Sequence, residues 1–399
     1  MNTIRSQFPI FQNHPDLVYL DSAATTQTPQ VVIDAMNEYY TQYRSNVHRS
    51  VNGLSNKATN AYESARGKVA HFIGAQSSEI IFTSGATMGL NMLQKSLTDF
   101  FEPGGNIVLT RLEHHANLIP WQMTVKKYNL ELRFIEIDTK TGEIDMSSVL
   151  SMIDEKTVVV SMTHVSNVLG TIVPVKEVTR IARGKSKSVV IVDGSQAVAH
   201  MPVDVVDIDC DFYVFSGHKM YGPTGIGVVY GKTALLQKMK PVVYGGEMID
   251  TVTYGQATWA DAPYRFEAGT PNIAGAIGLG AAVDFVLSLG WNEIQTHDVE
   301  IAQYAIAELQ KIERVRVIGS TQFPRGPIIS FVVDGVHESD VNMFLEKAGI
   351  VVRTGSHCAA PLIDHLGLSG TIRISCGMYT TKEDIDQCIT VLKKVVVHV

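Results

Sequence analysis

Short apolar runs rich in β-branched residues recur along the first 230 residues, and they constrain the fold more than any other feature. They are the predicted strands Ile80–Phe82, Ile107–Leu109, Leu132–Ile137, Val158–Met162, Val189–Val192, Phe212–Phe215 and Ile226–Tyr230. Helix-like stretches lie between several of them, at Met88–Leu97, Asn117–Tyr128 and Val175–Arg183. Apolar strands that alternate with helices predict an α/β fold, with a mostly parallel sheet covered by helices on both faces. Ligands of such sheets bind at the carboxyl ends of the strands.

The pattern changes after about residue 286. The predicted elements there are helix Glu293–Ile312, strands Val315–Gly319 and Pro327–Val333, helix Glu338–Ala348, strand Ile350–Arg353 and helix Lys382–Val396. We therefore expect a large domain over residues 16–285 and a smaller C-terminal α+β domain over residues 286–399, with the N-terminal segment 1–15 packing on the small domain.

Composition excludes several classes of protein. The formal charge of −7 leaves no cationic field to hold a nucleic-acid backbone, so no nucleic-acid partner is expected. Met1–Phe11 lacks the apolar stretch of a signal peptide. Ile273–Leu289 is apolar but too short for a comfortable bilayer span, which predicts a buried helix rather than a membrane contact. We expect a cytoplasmic protein.

Four cysteines occur, at positions 210, 358, 376 and 388, without a Cys-x-x-Cys pair or a His/Cys cluster. We therefore predict neither a structural metal nor a disulfide framework, and each cysteine is either a buried apolar residue or a reactive thiol. Cys388 lies on the apolar face of the last predicted helix and Cys210 precedes a strand, so both are interpreted as structural. The role of Cys376 is left open.

Several strand exits carry polar residues that suit catalysis. Lys219 follows strand Phe212–Phe215 in a glycine-rich loop, where burial would favour a neutral, nucleophilic amine; the alternative is an ordinary surface lysine. Asp193 ends an apolar strand and could bond a protonated pyridine nitrogen or simply cap a helix. His114 could stack on a cofactor ring or be an ordinary histidine. Ser84–Thr87 opens a helix whose N-terminus suits a phosphate, although a glycine-rich turn alone is weak support.

In order and context, these segments resemble the class V aminotransferase family of fold type I pyridoxal-phosphate enzymes, and within it the SUF-type cysteine desulfurases and selenocysteine lyases. The resemblance covers nearly the whole chain, from about Phe8 to the last helix. The segments that carry it are YLDSAAT (Tyr19–Thr25), EHHANLIPWQ (Glu113–Gln122), THVSNVLGT (Thr163–Thr171), VDGSQAV (Val192–Val198), FSGHKMYGPTGIG (Phe215–Gly227), FEAGTPN (Phe266–Asn272) and RTGSHCAAPL (Arg353–Leu362).

The resemblance implies pyridoxal 5′-phosphate as the cofactor and a role for each matching residue. Lys219 would bind the cofactor covalently, His114 would stack on its ring, and Asp193 and Gln196 would contact its nitrogen and phenolic oxygen. The residues implied to hold the phosphate are Thr87, Ser216, His218 and, from the neighbouring subunit of a homodimer, Thr270. Those implied to bind the substrate carboxylate or to lie beside it are Asn167, Arg353, Arg373 and His48. The guanidinium groups suit a planar anion.

Cys358 would be the sulfur acceptor. It lies in a polar loop with Arg353 and His357, an environment that favours a reactive thiolate over a buried structural thiol. The sequence departs from the family pattern at Ala86, where a second threonine is common and which leaves one phosphate contact in question. It also departs at Ser356 and Asn52, each in place of a frequent histidine.

The resemblance therefore predicts a cysteine desulfurase, which converts L-cysteine to L-alanine and passes sulfur from Cys358 to an acceptor protein of the SUF system for iron–sulfur cluster assembly. A selenocysteine lyase acting on L-selenocysteine and an aminotransferase with the same cofactor are alternatives from the same fold. A scaffold that has lost the chemistry is an alternative from another class. Transamination does not need a thiol in that loop, so Cys358 separates it from sulfur transfer.

Overall fold

The computed structural model describes residues 2–49, 52–101 and 104–398. The strands are Val18–Tyr19 (β1), Ile80–Thr83 (β2), Asn106–Thr110 (β3), Glu131–Ile135 (β4), Thr157–Thr163 (β5), Val189–Asp193 (β6), Phe212–Ser216 (β7), Gly227–Gly231 (β8), Ile249–Val252 (β9), Ala257–Trp259 (β10), Val315–Ile318 (β11), Ile328–Val333 (β12), Ile350–Val351 (β13), Arg353–Gly355 (β14) and Thr371–Ser375 (β15).

The helices follow the same order. They are Asn2–Arg5 (α1), Pro9–Asn13 (α2), Gln30–Gln42 (α3), Gly53–Phe72 (α4), Ala86–Ser96 (α5), His115–Tyr128 (α6), Met146–Met152 (α7), Val175–Lys185 (α8), Val205–Ile208 (α9), Thr233–Leu236 (α10), Ile273–Leu289 (α11), Trp291–Gln310 (α12), Glu338–Lys347 (α13), Ala360–His365 (α14) and Lys382–His398 (α15). Short 3₁₀ turns lie at Ser77–Glu79, Thr98–Phe100, Gly217–Lys219 and Tyr264–Phe266.

A seven-stranded sheet with the order β2-β8-β7-β6-β5-β3-β4 forms the centre of the molecule. Neighbours from β7 to β4 are parallel, whereas β8 is antiparallel to both β2 and β7. Every residue of β3, β6, β7 and β8 is buried, which explains why these strands read as continuous apolar runs. The predicted α/β class with a mostly parallel sheet is confirmed.

The parallel strands place the site. Because β3, β5, β6 and β7 run in the same direction, the residues that follow them meet at one edge of the sheet. Asp193 ends β6, Ser216 ends β7, and the turn before α6 follows β3. The residues that the sequence singled out at strand exits therefore converge.

A second, antiparallel sheet has the order β11-β12-β15-β14 and packs with α12, α13 and α15. The N-terminal segment contacts both this region and the end of α11. Arg5 donates to Asp384 at 2.8 Å, and the Phe8 ring lies 4.9 Å from the Tyr379 ring and 5.6 Å from the Phe285 ring. The strand β1 then pairs in parallel with β13.

The predicted domain boundary between residues 285 and 286 lies inside α11 and stays a prediction. The predicted N-terminal segment begins at residue 1 and the predicted small domain ends at residue 399, and both of these residues lie outside the described ranges. Nearly all of the first fourteen residues of α11 are buried. No single helix in the described ranges is both long and apolar enough to cross a bilayer; α11 and α12 reach that length and hydropathy only together, across a bend of 79°.

Candidate active site

A cavity of about 180 Å³ opens at the carboxyl ends of the parallel strands. The residues that line it are Ala23, Ala24, Ala86, Thr87, His114, Ala116, Asn167, Asp193, Ser195, Ser216, His218, Lys219, Arg353, His357 and Arg373. Ten of them are residues that the sequence predicted for the site, and they come from both sheets. The structure thus brings most of the predicted residues together within one chain.

Lys219 lies in the 3₁₀ turn after β7 and faces the cavity. Desolvation by burial lowers the pKa of its ammonium group, and the nearby guanidinium groups of Arg373 and Arg353 lower it further, while Asp193 acts in the opposite direction. A lysine in these surroundings supplies a neutral amine more readily than one at the surface. Asp193 is buried at the end of β6, and its Oδ1 accepts a hydrogen bond from the Ser195 amide at 3.0 Å.

His114 is the N-cap of α6, and its Nδ1 accepts a hydrogen bond from the Ala116 amide at 3.0 Å. Burial and the proximity of Lys219 lower the pKa of His114 to about 4. The imidazole is therefore neutral at physiological pH, and its Nδ1 bears a lone pair. This hydrogen bond fixes the orientation of the ring at the cavity wall.

One end of the cavity gathers short polar side chains and the start of α5. The Ala86 amide donates to Ser216 Oγ at 2.8 Å, so β7 and the first turn of α5 are bonded to each other. Thr87 follows on that turn with an exposed side chain. Burial and Lys219 lower the pKa of His218 to about 4, which leaves a neutral ring there. The helix N-terminus and hydroxyls at this end suit an anion.

Both arginines line the cavity, and the Cys358 thiol lies next to one of them. Arg353 Nη2 donates to Cys358 Sγ at 3.3 Å. Arg373 is almost fully buried on β15, where it lies directly opposite Arg353 of the antiparallel neighbour β14. Its Nη2 donates to Asp21 at 2.6 Å and its Nη1 to the Asn167 carbonyl at 2.9 Å.

Four predicted residues do not line this cavity: Cys358, which instead contacts the lining residue Arg353, and Gln196, His48 and Thr270. Gln196 lies just behind the wall, where its Nε2 donates to the Ala23 carbonyl at 2.8 Å. His48 instead contacts Glu63, with Nε2 and Oε1 2.9 Å apart. Thr270 is exposed, and its neighbours Gly269 and Pro271 line, together with His48, a second groove of about 380 Å³.

Two residues next to His114 have contacts that the sequence did not indicate. Glu113 is buried, and its carboxylate accepts hydrogen bonds from the hydroxyl of Thr110, the side-chain amide of Asn117 and the Thr163 backbone amide. Its burial raises its pKa to about 7. His115 contacts the Cys358 loop. The only signal was their place in a polar triplet after a buried strand.

The other cysteines lie apart from this chemistry. Cys210, Cys376 and Cys388 are buried in hydrophobic clusters, and burial raises the pKa of all three thiols, that of Cys388 to about 12. Cys376, whose role the sequence left open, is therefore placed like the two cysteines that were interpreted as structural. No three His, Cys, Asp or Glu side chains in the described ranges gather as a metal site.

The structure shows what Asn52 and Ala86 contribute at the positions where the sequence departs from the family pattern, but it does not explain Ser356. Asn52 is the N-cap of α4, and its Oδ1 accepts from the Ser55 amide at 2.9 Å. Ala86 contributes its backbone amide, as described, rather than a hydroxyl. Ser356 uses its carbonyl, which accepts from the Ala359 amide at 2.8 Å, and nothing in the structure calls for its side chain.

Comparison with known proteins agrees with this geometry. The sequence pattern of the family described as aminotransferase class-V matches residues 18–388. A probable cysteine desulfurase of Halalkalibacterium halodurans is 48% identical over 396 residues, which are 98% of this chain and 97% of that protein. The apo structure of a cysteine desulfurase from Thermococcus onnurineus is 38% identical with a TM-score of 0.96, covering 100% of this chain and 98% of that one.

The crystal structure of an Escherichia coli cysteine desulfurase in its S-sulfonic acid form is 36% identical, with a TM-score of 0.92 over 99% of this chain and 98% of that one. These likenesses confirm the predicted fold type I architecture. The chain belongs to the class V aminotransferase family.

Proposed function

We propose that this chain is a pyridoxal 5′-phosphate-dependent cysteine desulfurase that converts L-cysteine to L-alanine and receives the sulfur on Cys358. One arrangement carries the proposal: Arg353 lines the cavity that holds Lys219 and also donates to the Cys358 sulfur at 3.3 Å. A lysine with a lowered pKa and a thiol held by a guanidinium thus share one site. The closely similar relatives are named for the same activity.

The residues present fit this cofactor. Ser195 Oγ and Arg373 Nε are buried at the cavity and have no hydrogen-bond partner within the described part of the chain, so the cavity presents unmet polar groups to a ligand. Lys219 would hold the cofactor covalently, with His114 against the ring face, Asp193 at the pyridine nitrogen and Gln196 near the phenolic oxygen. Thr87, Ser216 and His218 would hold the phosphate, beside the Ala86 amide.

When bound, the cofactor withdraws electrons from the substrate α-carbon, because Asp193 keeps the pyridine nitrogen protonated. The chain supplies the remaining steps. Arg353, Arg373 and Asn167 orient the substrate carboxylate, for which the Arg373 Nε is unpartnered. Lys219, as a neutral amine, would remove the α-proton and return a proton to the substrate carbons.

Sulfur transfer balances without an external oxidant. The Cys358 thiolate attacks the substrate sulfur, a sulfur–sulfur bond forms, and the substrate Cβ–S bond breaks. The electron pair of that bond stays with the three-carbon fragment, which is protonated and leaves as L-alanine. The thiol of Cys358 has become a persulfide, ready for transfer to a second thiol.

Three further features complete the proposal. The acceptor of the persulfide sulfur is a protein of the SUF system that assembles iron–sulfur clusters. The protein acts as a homodimer in which Thr270 and His48 serve the neighbouring subunit's site; neither residue lines the cavity of its own chain, which supports this assignment. The reaction takes place in the cytoplasm, where reducing conditions keep the Cys358 thiol free.

Persulfide mapping tests the function directly. We expect the purified holoenzyme to produce L-alanine from L-cysteine and to gain one sulfur atom on the Cys358 peptide, as detected by mass spectrometry in the absence of reductant. Cys358→Ala should keep the yellow colour and its spectral response to L-cysteine but form no persulfide. Cys376→Ala is the matched control and should behave as the wild type. A persulfide on Cys376 or Cys210, or unchanged turnover in Cys358→Ala, would refute the assignment.

A further inference from the structure

One histidine holds the segment that carries Cys358 at two points, residue 358 itself and residue 360. The His115 amide donates to the Cys358 carbonyl at 2.7 Å. The His115 Nε2 accepts a hydrogen bond from the Ala360 amide at 3.0 Å. His115 is the first residue of α6, and it lies 245 positions from Ala360 along the chain. These two contacts join the large helix-covered sheet to the Cys358 segment.

The conformation of the segment requires such support. Gly355, His357 and Cys358 have φ angles of 97°, 52° and 57°, and two of these three residues carry a Cβ. Residues with a side chain are strained in this left-handed region, because the Cβ approaches the following carbonyl oxygen, so the conformation persists only where surrounding groups hold it. Besides His115, Asn167 Nδ2 holds the His357 carbonyl at 2.8 Å, and His357 Nε2 lies 2.8 Å from Thr371 Oγ1.

The imidazole of His115 also replaces a helix cap. Ala360 is the first residue of α14, and its amide is one of the N–H groups that a helix leaves unpaired. The N-cap residue, Ala359, provides no side-chain acceptor, and Pro361 has no N–H group. The His115 ring supplies the acceptor from outside the helix. This hydrogen bond requires the Nε2 lone pair, so Nε2 acts here as the acceptor.

The position of His115 in the chain connects two parts of the site. His114 lines the cavity, and the next residue holds the Cys358 segment. Glu113, the residue before His114, holds the same turn in place by accepting a hydrogen bond from the Thr163 backbone amide at 2.9 Å. Three consecutive residues at the exit of β3 therefore link the cavity wall to the Cys358 segment.

We propose that His115 is a positioning residue that holds Cys358 at the reacting distance through the acceptor nitrogen of its ring. It contacts neither the cavity nor the sulfur, and so acts through the backbone of residues 358 and 360. The proposal rests on the proposed function, since only a cysteine that accepts sulfur needs this placement. Its effect is on sulfur transfer, and cofactor binding and substrate binding proceed without it.

Two variants of the holoenzyme separate the acceptor from the bulk of the ring. His115→Leu keeps similar volume without an acceptor, whereas His115→Gln places an amide oxygen near the position of Nε2. We expect His115→Leu to form the Cys358 persulfide roughly tenfold more slowly, which is the effect of leaving one amide unpaired. His115→Gln should stay within about threefold of wild type. The visible-absorption titration with L-alanine should be unchanged in both variants.

Hydrogen exchange gives a readout that needs no turnover. The Ala360 amide should exchange faster in His115→Leu than in wild type and stay protected in His115→Gln. Equal persulfide rates in wild type and His115→Leu would overturn the proposal, and so would a loss of the L-alanine response as large as the loss of persulfide. If His115→Leu does not fold, His115→Asn replaces it, because its shorter side chain ends short of Ala360. Equal rates for Asn and Gln then overturn the role.

The two proposals fail in different ways. Absence of persulfide on Cys358 in the wild-type holoenzyme refutes the proposed function and, with it, the need for placement. Normal persulfide formation in the wild type together with an unaffected His115→Leu variant refutes only the positioning role of His115.

Discussion

The carboxylate of Glu267 receives both terminal nitrogens of the Arg66 guanidinium, with Nη1 2.7 Å from Oε1 and Nη2 2.9 Å from Oε2. It also accepts from the Tyr62 hydroxyl at 2.9 Å and from the Phe82 amide at 2.7 Å. The side chains of Arg66 and Glu267 are 1% and 6% exposed. This bidentate pair anchors the loop that leads to Thr270 onto α4 and the edge strand β2.

Glu267→Gln should destabilise the protein by roughly 3–5 kcal/mol, because it leaves the buried Arg66 charge without its partner. Urea unfolding of the holoprotein, followed by far-UV circular dichroism, measures the loss. Glu63→Gln is the matched control: Glu63 also accepts from Arg66, at 2.9 Å, but its side chain is 28% exposed. We expect that control to lose less than about 1 kcal/mol. Equal losses of unfolding free energy in the two variants would show that the buried ion pair contributes no more to stability than the exposed one.

The dependence of stability on pH follows from a buried histidine outside the cavity. Burial lowers the pKa of His164 from 6.5 to about 4. The unfolded chain therefore takes up a proton near pH 6.5, whereas the folded chain takes it up only near pH 4. The contribution of His164 to stability is complete above pH 6.5 and is lost as the pH falls to about 4, on the order of 3 kcal/mol in total.

His164→Asn tests this sign. The asparagine amide oxygen can replace Nδ1, which lies 2.8 Å from the Tyr213 hydroxyl, but it does not titrate. Between pH 6.5 and 4 we expect the unfolding free energy of this variant to fall less steeply than that of the wild type, by about one proton. His114, His218 and His357 also have lowered pKa values, so the variant should keep part of the slope. Identical slopes for the two proteins would contradict the prediction.

The sequence predicted the central sheet well because its strands are buried on both faces. The predicted strand Val189–Val192 is observed as Val189–Asp193, and Phe212–Phe215 as Phe212–Ser216. The strand Thr371–Ser375, which carries Arg373, was not predicted. It is short and interrupted by the charged Arg373, and pairing with β12 and β14 on either side holds it in place. The exposed hairpin of β9 and β10 lacks an apolar run and was missed for that reason.

Some residues of the site could likewise be predicted from the sequence, and others could not. Residues at strand exits, such as Lys219 and Asp193, could be predicted because parallel strands deliver their ends to one edge. The clamp by His115 could not, because both of its partners lie more than two hundred positions away in an irregular segment. The role implied for Thr270 stays a prediction, because its side chain is exposed and does not line the cavity of its own chain.

A site shared between two subunits makes a prediction about mixed dimers. Lys219 faces the cavity of its own chain, whereas Thr270 does not line that cavity. If Thr270 bonds the phosphate in the neighbouring subunit, each site takes Lys219 from one chain and Thr270 from the other. Lys219→Ala removes the first contribution, and Thr270→Glu removes the second. Each homodimer should have little or no activity, because one lacks the covalent anchor and the other sets a carboxylate against the phosphate. Thr270→Ser, which keeps the hydroxyl, is the matched control and should stay active.

In a hybrid dimer of the two inactive variants, the chain that keeps Lys219 receives an intact Thr270 from the Lys219→Ala chain, so one site of two is complete. The other site lacks both groups. We therefore expect the hybrid, isolated through two different affinity tags, to regain about half of the wild-type rate, as for any enzyme with one of two independent sites intact. Had Thr270 acted within its own chain, neither site of the hybrid would be complete, because each chain would carry one defect of its own. A hybrid no more active than its parents would therefore disprove the shared site.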